Sequence, residues 1–179
     1  MEERLNLGIV GCGNISGIYF TNLTTLFPWV RIEACSELIE ARSRAKADAF
    51  NVPKCYTTEE LLADDTIDIV LNLTTPVDHA AINQAALAAG KHVYCEKPLA
   101  IDRQDAIDTM KMAEDKGLRV GNAPDTFLGG GIQTCRRIID DGIIGDVVSA
   151  MAFMVNHGHE SWHPDPAFYY QRGGGPMLD

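Results

Sequence analysis

The chain has 179 residues, with 15 basic against 25 acidic side chains and a formal net charge of -10. That length can bury a sizeable core without disulfide or metal staples, and an acidic excess carried by both halves argues against a nucleic-acid partner. The five cysteines, Cys12, Cys35, Cys55, Cys95 and Cys135, are odd in number and never spaced C-x-x-C, which points to a reduced, cytoplasmic chain, and no stretch approaches the ~18 apolar residues of a membrane span.

Leu5 to Val10 reads as a buried strand and Ile15 to Leu26 as a helix. Val30 to Cys35 is the second strand, and Ile39 to Phe50, rich in Ala and Arg, the second helix. A short extended piece at Cys55 and Tyr56 precedes a helix at Thr58 to Leu62, with Thr58 as its expected cap. Asp68 to Leu73 is the next strand, and Val77 to Ala89 a helix stopped by Gly90. His92 to Cys95 is the fifth strand, Asp102 to Lys116 a helix capped by Asp102 and closed by Gly117, and Arg119 to Asn122 the sixth strand. Strands alternating with helices predict an α/β fold with a doubly wound parallel Rossmann sheet over residues 1–122.

Beyond residue 122 the texture changes. Gly129-Gly130-Gly131 leads into a helix at Ile132 to Asp140, Val147 to Val155 reads as a long strand, and 156–179 is rich in His, Pro, Gly and aromatic residues. Residues 123–179 are expected to begin an α+β substrate and oligomerisation domain that the chain does not complete.

Gly8-Ile9-Val10-Gly11-Cys12-Gly13-Asn14-Ile15-Ser16 ends the first strand and opens the first helix. Gly11 and Gly13 permit a tight turn whose backbone N-H groups, with those of Asn14 and Ile15, approach a pyrophosphate at the positive helix terminus. Ser16 stands where the third glycine of G-x-G-x-x-G usually lies, and is small enough for close packing. Glu37 follows the second strand, placed to accept hydrogen bonds from both adenosine ribose hydroxyls and to repel a 2'-phosphate. NAD is therefore expected over NADP, with NADP still open. Cys95-Glu96-Lys97-Pro98 ends the fifth strand on the ligand-binding side of such sheets, where Lys97 is a candidate general base beside a nicotinamide.

Gly11-Cys12-Gly13-Asn14-Ile15, Thr74-Thr75-Pro76 with His79, Ala88-Ala89-Gly90-Lys91-His92-Val93, Glu96-Lys97-Pro98 and Gly173-Gly174-Gly175-Pro176-Met177-Leu178-Asp179 together resemble the Gfo/Idh/MocA oxidoreductases, relatives of glucose-fructose oxidoreductase and inositol dehydrogenase. The resemblance implies hydride transfer between a nicotinamide and a hydroxyl-bearing carbon of a sugar, cyclitol or related metabolite. It implies a proton relay at Lys97, placement of the nicotinamide ribose by Glu96, and cofactor contacts from Thr75, Pro76 and His79. Glu37 matches the ribose acid, Asp179 matches an acid supporting substrate and relay, and full-length members are expected to be homo-oligomers. The segment Asn122-Ala123-Pro124-Asp125-Thr126-Phe127 departs from the family's usual Asn-x-Arg pattern, which points to distinct substrate contacts. A nucleotide-binding module without catalysis is the alternative reading.

Three of five histidines cluster in Asn156-His157-Gly158-His159-Glu160-Ser161-Trp162-His163-Pro164. His159-Glu160-Ser161-Trp162-His163 has the letters of a helical zinc motif but precedes Pro164-Asp165-Pro166, so no metal site is expected. His157, His159, Trp162 and His163 are read instead as a polar loop at the mouth of a substrate site, able to contact a polyol.

Overall fold

A computed structural model describes residues 4–164 and 166–175. Its core is a six-stranded parallel sheet in the order β3-β2-β1-β4-β5-β6. In chain order the elements are β1 (Leu5–Val10), α1 (Ser16–Thr25), β2 (Val30–Ser36), α2 (Glu40–Phe50), β3 (Lys54–Tyr56), α3 (Thr58–Ala63), β4 (Ile69–Asn72), α4 (His79–Ala88), β5 (His92–Cys95), α5 (Arg103–Lys116), β6 (Val120–Asn122) and α6 (Gly130–Asp140). The chain first builds outward from β1 to β3, then returns to place β4 on the other side of β1. That reversal leaves a crevice at the carboxyl ends of β1 and β4, where open α/β sheets hold their ligands.

Both faces of the sheet are covered, so the strands read as nearly continuous apolar runs. Ile9, Phe20, Ile32, Cys35, Leu71 and Leu73 pack on the side of α1 and α2. Val10, Leu61, Val70, Leu87, Val93 and Ala113 pack on the side of α3, α4 and α5. Gly8 belongs to this second contact, because a Cβ there would lie 2.7 Å from the Leu61 side chain.

At the amino-terminal end of the sheet, charge fixes the loops. Lys54 Nζ lies 2.7 Å from Asp64 and 3.1 Å from Glu33. Lys91, only 4% exposed, donates from Nζ to the carbonyls of Asp64 and Ile67 at 2.7 and 3.0 Å. A buried ammonium needs such acceptors, and two carbonyls supply them.

The helices beside the sheet differ from the sequence reading in their caps. Thr57, not Thr58, caps α3: its hydroxyl accepts the Glu60 N-H at 3.2 Å while Glu60 Oε2 accepts the Thr57 N-H at 2.8 Å. A capping box pairs the cap with the acid three residues on, and Glu60 selects Thr57. The Thr58 hydroxyl instead meets Ser36 Oγ at 2.9 Å. Asp102 occupies the cap position of α5 but makes no side-chain cap bond, its carboxylate being engaged by Arg172. Gly117 closes α5 in the left-handed region, with φ of 68°.

The expected strand at Val147 to Val155 does not form. Those residues are exposed and join no ladder among the described residues. An extended run becomes a strand only when neighbouring backbone satisfies its N-H and C=O groups, and the ladder of the described sheet ends at β6. α6 does form, yet it has no buried residue and leaves Ile132 and Ile139 exposed.

Bonds from Lys54 and Thr66 hold the Asp64 carboxyl well below the usual carboxylate range. A carboxyl depressed on folding contributes stability above the unfolded value, ~3.9, and loses that contribution as pH falls through the lower folded value. Thermal unfolding of the unaltered protein should therefore lose Tm below about pH 4 more steeply than Asp64→Asn, which starts lower at neutral pH. Parallel Tm profiles for the two proteins would remove Asp64 from this role.

Candidate cofactor and active site

The turn after β1 is set by Gly11. Its φ is 99°, and a Cβ would sit 2.6 Å from the Leu73 carbonyl group, so no side chain fits without displacing β4. Gly13 differs: a Cβ there would meet nothing within 4 Å, leaving open space in front of the helix. Ser16 is fully buried and donates from Oγ to the Gly13 carbonyl at 2.7 Å, closing the loop onto α1. Asn14 and Ile15 are exposed at the start of α1, whose first turn holds no acidic residue. The Gly11 N-H donates to the Ser36 carbonyl at 2.9 Å, while a positive helix end and open space above Gly13 fit a phosphate group.

Glu37, just past β2, reaches back to this loop. Its Oε2 accepts the Cys12 N-H at 2.9 Å and Oε1 accepts the Ile39 N-H at 3.5 Å. The carboxylate thus borders the glycine loop, with lone pairs left for hydroxyl donors.

The turn after β5 is held from three directions. Glu96 Oε1 accepts the Tyr19 phenol at 2.7 Å, and Oε2 accepts the Lys97 N-H at 2.9 Å. Asn122, at the end of β6, donates from Nδ2 to the carbonyls of Cys95 and Glu96, each at 3.0 Å. Lys97 is half-buried and precedes a cis peptide to Pro98. Burial pushes the Cys95 thiol up to about 12, which leaves it a packing group beneath the turn rather than a nucleophile. Burial, followed by the Glu96 carboxylate, also raises the Tyr19 phenol far above the ordinary tyrosine range.

A buried polar cluster ties this turn to the one after β4. Asn72 Nδ2 donates to the His79 carbonyl at 3.1 Å and to Asn83 Oδ1 at 2.8 Å, while Asn72 Oδ1 accepts the Thr74 N-H and hydroxyl. Asn83 Nδ2 donates to the Leu99 carbonyl at 3.3 Å. His79 is 1% exposed, with Nδ1 2.5 Å from the Pro98 carbonyl and Nε2 3.1 Å from the Thr74 carbonyl. This corrects the expected cofactor contact: both ring nitrogens are engaged by backbone, so His79 braces two turns from beneath. Thr75 is exposed and donates to Asp78 Oδ2 at 2.8 Å, with Pro76 half-buried beside it.

Gly11, Gly13, Glu37, Thr75, Pro76, Glu96 and Lys97 therefore all lie along the carboxyl edge of the sheet. Tyr19, Asn72 and Asn83 were not expected from the sequence, and Asn122, which opens the segment departing from the family pattern, was not expected to hold the turn after β5. Asn122 ends a strand and Asn72 does likewise, so polar residues closing apolar runs were the available signal; Tyr19 gave none. Asp179 lies outside the described residues.

The histidine segment is partly buried in itself. His159, 7% exposed, stacks 3.6 Å from Tyr169 and 4.5 Å from Trp162, and His163 packs against Phe168. His157 and Trp162 are exposed. Gly173 packs on Ile101 and Arg172 pairs with Asp102, anchoring the segment to the loop that follows Pro98. Among the described residues no group of three or more His, Cys, Asp or Glu converges as a metal site.

A parallel α/β sheet with a glycine loop, an acid after the second strand and a lysine turn on one edge is the arrangement of a dinucleotide-binding Rossmann domain. Residues 5–123 match the Gfo/Idh/MocA oxidoreductase family, described by its NAD-binding Rossmann fold, and the chain belongs to that family. A trans-1,2-dihydrobenzene-1,2-diol dehydrogenase of Macaca fascicularis is 30% identical over 178 residues, 98% of this chain and 52% of the relative. A D-xylose dehydrogenase of Paenarthrobacter nicotinovorans is 28% identical over 146 residues, 78% of this chain and 38% of the relative. The crystal structure of GenD2 from gentamicin A biosynthesis in complex with NAD aligns with a TM-score of 0.74 at 26% identity, covering 79% of this chain and 40% of that one. The chain spans about half the length of the curated relatives it matches.

The two glycines should respond differently to the same substitution. Gly11→Ala is expected to cost about 2–3 kcal/mol of stability through positive φ and the collision with Leu73. Gly13→Ala should keep Tm nearly unchanged while weakening NADH binding, because its methyl enters the space above the loop. Chemical denaturation and calorimetry separate the two; equal loss of stability in both would contradict the assignment.

Proposed function

We propose that the chain is the cofactor-binding part of an NAD-dependent dehydrogenase acting on a hydroxyl-bearing carbon of a sugar, polyol or related diol. One observation carries this reading: the Tyr19 to Glu96 bond sets the lysine turn against the helix that begins at the glycine loop. The names of the relatives, a diol dehydrogenase and a xylose dehydrogenase, support the substrate class.

In this reading Gly11 shapes the turn, its own N-H being donated to the Ser36 carbonyl; Gly13, Asn14 and Ile15 receive the pyrophosphate, and Glu37 accepts the adenosine ribose hydroxyls. Thr75 and Pro76 line the middle of the cofactor, and Glu96 receives the nicotinamide ribose. The bound nicotinamide supplies hydride acceptance or donation. Lys97 moves the proton of the substrate hydroxyl, supported by Asp179. Residues 1–122 form the cofactor domain, and 123–179 begin the substrate domain, with His157 and Trp162 as the polyol-facing side chains of its loop and His159 and His163 packed within that loop. Val148, Met151 and Phe153, exposed by 94%, 83% and 79%, are apolar surface suited to burial in a homo-oligomer of the full-length protein. Five free thiols support a cytoplasmic setting.

Glu37 gives NAD a charge advantage, since a 2'-phosphate would face its carboxylate. Fluorescence titration should show NADH bound at least about tenfold tighter than NADPH, a gap of ~1.4 kcal/mol that narrows in Glu37→Ala. Lys97→Ala should retain NADH binding and lose turnover on sugars and diols in the intact enzyme. Unchanged turnover in that variant would remove the proton-relay role.

A further inference from the structure

Tyr19 projects from α1 three residues after Ser16, on the same side of the helix that closes the glycine loop. Its phenol crosses to the end of β5 and donates to Glu96 Oε1 at 2.7 Å, while the other carboxylate oxygen takes the Lys97 N-H at 2.9 Å. Seventy-seven positions separate the two side chains in sequence, so the bond ties α1 directly to the turn after β5. A hydrogen bond to an ionised acceptor is stronger than a neutral one. Each Glu96 oxygen retains a lone pair for a further donor, so the carboxylate can be held and still receive a ribose hydroxyl.

We propose that Tyr19 is a positioning residue for the nicotinamide half of the cofactor, acting through Glu96. Its hydroxyl fixes the carboxylate that receives the nicotinamide ribose and, through the Lys97 N-H, the turn that carries the lysine. This role rests on the nucleotide-binding reading above. Both side chains are half-buried between α1 and β5, which limits the water that competes for the bond, and the raised phenol keeps Tyr19 a donor throughout the neutral range. The adenosine half is anchored elsewhere, by Glu37 and the glycine loop.

The distinction between positioning and simple packing lies in which part of the cofactor feels the loss. NADH carries the nicotinamide riboside, whereas ADP ends at the pyrophosphate and never reaches Glu96. Calorimetric titration of the chain with each ligand should show Tyr19→Phe weakening NADH about fivefold while ADP stays within about twofold, since one charge-assisted hydrogen bond is lost and the ring is kept. Tyr19→Phe added to Glu96→Gln should weaken NADH no further than Glu96→Gln alone. Equal weakening of both ligands, or no change in NADH, overturns the role. An unaltered protein that binds neither ligand overturns the nucleotide reading and this role with it, an outcome distinct from any pattern among variants of a protein that binds both.

Discussion

The site depends on Asn72, a fully buried amide at the end of β4 whose hydrogen-bonding capacity is completely used. Both amide hydrogens are donated, to the His79 carbonyl and Asn83 Oδ1, and the oxygen accepts the Thr74 N-H and hydroxyl. An unsatisfied buried amide costs about 1–3 kcal/mol, so these partners are obligatory rather than optional. They fix the turn after β4, and Asn83 and His79 pass that geometry to Leu99 and Pro98 in the turn after β5. The glycine loop meets the same assembly through the close approach of Gly11 to Leu73.

The turns along the carboxyl edge are held rigidly. Groups placed by packed strand ends have less freedom than groups on long loops, which suits a site that must hold a ligand in one orientation. Glu96 is the meeting point, receiving Tyr19 from the helix side and the Lys97 N-H from its own turn, with Asn122 holding the backbone from β6. At the opposite end of the sheet, Lys54, Lys91 and Asp64 serve stability, and their charges are spent on one another and on carbonyls.

What could be read in the sequence was local. Gly11, Gly13 and Glu37 are legible because a tight turn, a helix start and a strand end each restrict the residue types allowed there. The Glu96-Lys97-Pro98 turn is legible through family resemblance, and the alternation of apolar runs and helices fixes the parallel sheet. Contacts between distant side chains were not legible: nothing near Tyr19 announces Glu96. His79 was misread because its place at a helix start carries no sign of which way the ring points; burial decided that. Val147 to Val155 has the composition of a strand, but a strand is a relation between two segments, and no described segment pairs with it. Thr57 and Thr58 differ by one position, and only the reach of Glu60 separates them.

The central claim is that the cofactor lies across the carboxyl edge, from Glu37 over the glycine loop to Lys97. Backbone amide chemical shifts of the isotopically labelled chain, followed as NADH is added, test it most directly. The amides of Gly11 to Ile15, of Glu37 and Leu38, and of Glu96 and Lys97 should move together and saturate together, with the loops at Asp65 and Gly90 unmoved. Shifts confined to Asp65, Gly90 and His92 at the opposite edge, or movement at Glu37 without Glu96 and Lys97, would contradict it.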